Sequence, residues 1–144
     1  MEGVFFDLTS MKNLEAGESL PSFSCELERQ RKIAQRVAET LQEKEPGHQL
    51  LTPELLGVLL SNQDAERLPN PTFYAKYFTA WNGEKFFVCS YDPQTGDFYG
   101  IRGVEEITWG HFSLDELMSL RGPFEMKIER NLSFFPTAAS EVVE

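Results

Sequence analysis

Thr72-Phe73-Tyr74-Ala75-Lys76-Tyr77-Phe78-Thr79-Ala80-Trp81-Asn82-Gly83-Glu84-Lys85-Phe86-Phe87-Val88-Cys89-Ser90-Tyr91 is the stretch on which the fold turns. It is aromatic and β-branched on both sides of Asn82-Gly83, a dipeptide that tolerates the positive φ angles of a two-residue type I′ turn. The reading is a β-hairpin in which Trp81 faces Glu84, Thr79 faces Phe86, Tyr77 faces Val88 and Phe78 faces Phe87. Beyond it, Asp92-Pro93-Gln94-Thr95-Gly96-Asp97 makes the next turn, Phe98 to Arg102 a third strand and Glu106 to His111 a fourth. Met126 to Phe134 alternates, with Met126, Ile128, Leu132 and Phe134 on one face, and reads as the last strand. Parity places Arg130 with Ile128 and Leu132. A guanidinium there needs a carboxylate, with Glu106, Asp97 or Glu84 as candidates, or it snorkels to water from a sheet edge.

Before the hairpin the period changes. Ser24 to Lys44 reads as a helix with Leu27, Ala34, Val37, Ala38 and Leu41 on one stripe, ended by Pro46-Gly47. Thr52 caps a second, short helix with Pro53 in its first position. Ser113-Leu114-Asp115-Glu116 is a capping box that opens a third, and Arg121-Gly122-Pro123 stops it. Val4 to Leu8 reads as a short edge strand. The sum is an α+β fold: an antiparallel sheet of about five strands with helices packed on one face. Residues 1–49 form an extension carrying one amphipathic helix (24–44), residues 50–136 the sheet domain, and residues 137–144 a loose tail.

Composition narrows the function. The 144 residues hold 23 Asp and Glu against 13 Lys and Arg, a net charge of −10. Fourteen of the acids but only seven of the bases lie from Leu50 onward, so the sheet domain carries most of the field. Such a field repels phosphate backbones and anionic lipid, so neither nucleic acid nor membrane is an expected partner; a protein with a basic surface is. The longest apolar run, Leu55-Leu56-Gly57-Val58-Leu59-Leu60, falls far short of a membrane span. Met1 to Asp7 has neither a basic region nor a cleavage signal, and Cys25 and Cys89 form no CxxC pair. A cytoplasmic protein with two free thiols is the expectation.

The chemistry-bearing residues are few. His48 and His111 lie in different elements, and no His, Cys or Asp cluster has metal-ligand spacing. No Gly-rich loop joins a strand to a helix, so no cofactor is expected. Asp92, Asp97, Glu105, Glu106, Asp115 and Glu116 crowd the C-terminal half. Turn and capping chemistry accounts for Asp92, Asp97, Asp115 and Glu116, and what survives is an acidic rim. Arg29, Lys32 and Arg36 form a charged face on the first helix, interleaved with Glu28, Glu39 and Glu43. Trp81, Tyr99 and Trp109 are the aromatics expected at the surface.

The order of motifs from Leu50 to Pro136 adds a resemblance. Leu51-Thr52-Pro53-Glu54-Leu55-Leu56, Lys76-Tyr77-Phe78-Thr79 and Gly96-Asp97-Phe98-Tyr99-Gly100-Ile101 come first. Gly110-His111-Phe112-Ser113-Leu114-Asp115-Glu116-Leu117 and Glu129-Arg130-Asn131-Leu132-Ser133-Phe134 follow. The series resembles a bacterial domain-of-unknown-function family, number 2958. Asn131 stands where that family favours an acid, and Phe86-Phe87 where it favours a Trp-rich hairpin. The resemblance implies no reaction; it implies a small accessory protein of plasmids, phages or their bacterial hosts.

Taken together, the expectation is a non-enzymatic acidic protein-interaction module of a phage, plasmid or host. Its carboxylates could occupy the groove of a nucleic-acid-binding defence or processing enzyme where phosphates would sit. Trp81, Asp97, Tyr99, Glu105, Glu106, Trp109 and Arg130 are the expected partner-binding residues. The alternative is a small hydrolase-like enzyme using His111 with Asp97 or Glu106.

Overall fold

A computed structural model describes residues 19–142, with side chains from Cys25 onward. The chain divides into two units, Met1–Lys32 and Ile33–Glu144. The edge strand expected at Val4 to Leu8 lies outside the described residues. Helix α1 runs Ser19–Leu41, beginning five residues before the expected start and ending three before the expected end. In its first unit, Arg29 pairs with Glu26 at 2.6 Å on the exposed surface. Within the second unit its inward stripe differs from the expected one: Ala34 and Ala38 face water. Val37 and Leu41 do reach the core, joined by Thr40, which is 1% exposed. Ile33 packs over the turn at Gly96, where an added Cβ would sit 3.1 Å from the Ile33 side chain. A polar Thr on the inner face is invisible to an apolar period.

Helix α2 (Pro53–Leu60) starts as the sequence demands, with Thr52 Oγ1 accepting from Leu55 N at 3.0 Å. Then come β1 (Thr72–Phe73), β2 (Ala75–Thr79), β3 (Glu84–Asp92), β4 (Asp97–Gly103) and β5 (Thr108–Ser113). Helix α3 (Leu114–Ser119), β6 (Glu129–Arg130), β7 (Thr137–Ala138) and α4 (Ala139–Val142) complete the order. The main sheet is antiparallel with strand order β5-β4-β3-β2-β6, so the five-stranded α+β expectation holds.

The central hairpin is real, but its register is two residues off the two-residue-turn reading. Thr79 faces Glu84, Tyr77 faces Phe86 and Ala75 faces Val88. The loop is four residues long because Gly83 N and Asn82 N both donate back to Thr79 O, at 2.9 and 3.3 Å. Asn82 Oδ1 also accepts from Thr79 Oγ1 and from Glu84 N. Only Gly83, at φ 76°, needs the left-handed region. A slip of two conserves parity, so every side chain keeps its expected face.

One face of the sheet carries Tyr77, Phe86, Val88, Tyr91, Phe98 and Phe112, packed against Leu59 of α2 and Leu114 and Leu117 of α3. Tyr77 Oη donates to Leu50 O at 2.6 Å, and its pKa rises through burial despite the opposing charge of Arg130. Arg36 ties α1 to α3 by donating to Asp115 at 2.6 Å and Ser119 at 3.3 Å. Ser113 Oγ caps α3 by accepting from Glu116 N at 2.9 Å. The Glu116 carboxylate turns instead to Arg102 at 3.0 Å.

The other face is covered too, which corrects the one-sided picture. Phe73, Phe87, Cys89, Ile101, Ala65 and Ala139 form a second cluster, joined by Phe134 and Val142. Residues 137–142 supply its cover through β7 and α4, so they are not a loose tail. Thr137 and Ala138 pair with Phe73 and Thr72, and Ala139 N donates to Pro71 O at 2.8 Å.

The last expected strand shrinks to the two residues of β6. Asn131 accepts from Phe134 N through its backbone and from Ser133 N through its side chain, an Asx turn that bends the chain away. Leu132 is consequently 57% exposed. Arg130 finds none of the proposed carboxylates: its Nε donates to Gln49 O at 2.6 Å, and Glu84 pairs with Arg102.

Candidate functional site

Strand β5 forms one edge of the main sheet, and β4 lies between it and β3. Gly103 opens the β4–β5 turn at φ 157°, where an added Cβ would sit 1.9 Å from Glu106 O. No other residue fits so close an approach. The turn therefore stays short and pushes its side chains outward. Val104, Glu105, Glu106 and Ile107 are all exposed, and Trp109, two residues on, is 43% exposed.

Trp109 is fixed rather than free. Its ring stacks on Phe73 at 5.6 Å and on Tyr99 at 5.6 Å, and Tyr99 in turn meets His111 at 5.3 Å. Tyr99 and His111 are direct partners across β4 and β5, which explains the contact. His111 Nε2 lies 3.4 Å from Glu66 Oε1, both side chains being half exposed or more. Burial first, and then the charge of Glu66, raise the Tyr99 pKa. The result is an apolar strip of Val104, Ile107 and Trp109 bordered by Glu66, Glu105 and Glu106.

Of the residues singled out by sequence, Tyr99, Glu105, Glu106 and Trp109 come together here. Asp97 does not: it begins β4 at the far end, opposite Asp92 and Ser113. Trp81 sits in the β2–β3 loop against Gly122, where an added Cβ would lie 2.2 Å from its ring. Arg130 belongs to β6, the opposite edge of the sheet. The pairing of His111 with Asp97 or Glu106 is replaced by Glu66, from a single 3-10 turn at Ala65–Arg67. Glu66 lies 45 positions from His111 in the chain, and no local pattern joins the two. Val104 and Ile107 join the site without having been expected there; their signal in the sequence is two apolar residues bracketing a pair of acids.

Elsewhere, a concavity of about 190 Å³ is lined by residues that include Arg36, Glu39, Glu43, His48, Arg121 and Lys127. Arg36 is committed to Asp115 and Glu39, and His48 Nδ1 is bonded to Ile128 O at 3.1 Å. Its charges are largely spent on the fold. Among the described residues no three His, Cys, Asp or Glu side chains form a group able to hold a metal ion, and no helix is long and apolar enough to cross a membrane.

Comparison with known proteins bears on the family alone. A family model described as "Protein of unknown function (DUF2958)" matches residues 50–142. No curated protein and no solved structure matches the chain. The matched span takes in β7 and α4, the elements that close the second cluster.

Proposed function

The chain belongs to the DUF2958 family, and from that premise we propose that it is an acidic protein-interaction module whose partner is a protein with a basic surface. The observation that carries the reading is the β4–β5 turn and the edge strand after it. Exposed Val104 and Ile107 bracket Glu105 and Glu106 there, with exposed Trp109 stacked on Phe73 and Tyr99. An apolar anchor ringed by charge is the anatomy of a protein interface, with an aromatic at the centre and a polar rim that steers approach. The net charge of −10 gives the rim long-range help toward a basic partner.

A phage, plasmid or host protein of this kind would act by placing carboxylates where a defence or processing enzyme takes nucleic acid phosphates. The reading places the chain in the cytoplasm, where Cys25 and Cys89 remain free thiols. The test is affinity capture from the cells that make the protein, identification of the captured protein, and titration of the two purified components. Between about 50 and about 300 mM salt the dissociation constant should rise at least about tenfold, because screening shortens the reach of the rim charges. Glu105→Lys with Glu106→Lys should do the same at low salt. Binding indifferent to both sinks the proposal.

A further inference from the structure

We propose that Phe124 is a preformed second anchor for the same basic protein partner, presented on a strained turn at the same end of the sheet as the Trp109 patch. Phe124 is 99% exposed, the most exposed large apolar side chain among the described residues. A phenylalanine ring in water is a standing cost, and here the backbone adds another. Phe124 has φ 59° and Glu125 φ 61°, both in the left-handed region that suits glycine. Met126 N donates to Pro123 O at 3.2 Å across these two residues, which makes a type I′ turn. Asn-Gly would form that turn with little strain. Phe-Glu holds the ring outward instead.

The turn is held from below. Gly122 N donates to Met126 O at 2.8 Å, and the Trp81 ring lies against Gly122 with no room for a Cβ. Trp81, expected to touch a partner, thereby acts as the footing of the residue that does. Rigidity matters, because an anchor already in its bound conformation loses little entropy on docking.

Topology sets the place. The rungs Thr79–Glu84, Lys85–Gly103 and Arg102–Thr108 lie at one end of the sheet, so the β2–β3 loop bearing Trp81 and the β4–β5 turn bearing Glu105 and Glu106 project from the same end. Strands β2 and β5 are three spacings apart, about 15 Å, well within the span of one interface. Glu125 beside the ring is exposed and lies 3.9 Å from Arg121; the proposed pocket would offer it a second cation at its rim. A net charge of −10 turns the ring away from anionic lipid and from a second copy of the chain.

The inference rests on the partner being a protein, as proposed above, and its test separates the two claims. Photoreactive benzoylphenylalanine replaces Phe124 in the full chain, expressed and irradiated in the cells that make it. The expected result is a crosslink to one basic protein. Its affinity, measured with both components purified, should then fall at least about 30-fold with Phe124→Ser and about tenfold with Glu125→Lys. Phe124→Gly should fold with an unchanged or higher melting temperature, since the ring supports nothing and glycine relieves the positive φ. Crosslinks to lipid, to a second copy or to nothing overturn the inference. So does full affinity in Phe124→Ser, or a Phe124→Gly chain that does not fold. A partner lost with the Glu105 and Glu106 changes yet retained by Phe124→Ser refutes this inference and leaves the earlier reading standing.

Discussion

Thr40→Val is the substitution whose cost the structure specifies most directly. Thr40 sits one residue before the end of α1, 1% exposed, and its Oγ1 accepts from Leu50 N at 2.9 Å and from Leu51 N at 3.2 Å. Both leucines are fully buried, so neither amide has water to turn to. Valine has the same shape and no acceptor. Each buried N–H left unmade costs about 1–3 kcal/mol, and a small gain from the more apolar methyl offsets part of it, leaving about 2–4 kcal/mol for the pair. For a chain of this size that lowers the melting temperature by about 8–15 °C. Thr40→Ser keeps the acceptor and loses one methyl, about 1 kcal/mol. Thermal unfolding followed by far-UV circular dichroism should rank wild type above Thr40→Ser and Thr40→Ser above Thr40→Val. Hydrogen exchange should accelerate at the Leu50 and Leu51 amides. A Thr40→Val chain as stable as Thr40→Ser would refute the reasoning, because the two amides would then have found partners elsewhere. The outcome also bears on domain limits, since Thr40 lies outside residues 50–142 and yet supports the first residues of that span.

Two further tests use buried groups. Tyr91 Oη is buried with no hydrogen-bond partner among the described residues, so Tyr91→Phe should leave stability unchanged or raise it by about 1 kcal/mol in urea titrations. Burial first, then Asp97 and Asp92, push the Tyr91 pKa up to about 12 from 10.0. The unfolded chain therefore loses this proton first, and stability should drop as pH rises from about 10 to about 12, less steeply in Tyr91→Phe. Cys25 is exposed while burial pushes the Cys89 thiol up to about 12. Iodoacetamide at about pH 8 should modify one thiol quickly and the second only on unfolding, because the thiolate is the nucleophile. Equal rates by mass spectrometry would contradict the burial of Cys89.

The local signals were the legible ones. The aromatic and β-branched strands on either side of Asn82-Gly83, the Thr52 and Ser113 caps and the turn before Gly96 are decided by neighbours in the chain, and the structure keeps each of them. Even the hairpin slip left the faces intact, since parity depends on spacing alone. What failed was one local turn that outweighed the alternation, and two pairings between groups far apart in sequence. Asn131 ends β6 early, Gln49 O replaces a carboxylate as the partner of Arg130, and Glu66 reaches His111 from a separate turn.

The amino-acid order alone determined the antiparallel strands around the central hairpin, the parity of side chains across that hairpin and the excess of carboxylates, because those follow from local spacing and composition. Tertiary structure alone decided which exposed residues share an end of the sheet. The turn bearing Glu105 and Glu106 and the loop bearing Trp81 come to one end of the sheet only once the strands have paired, and Trp81 meets Gly122 only in the folded chain. Register, backbone strain and exposure arise from long-range pairing, and one-dimensional spacing carries no record of it.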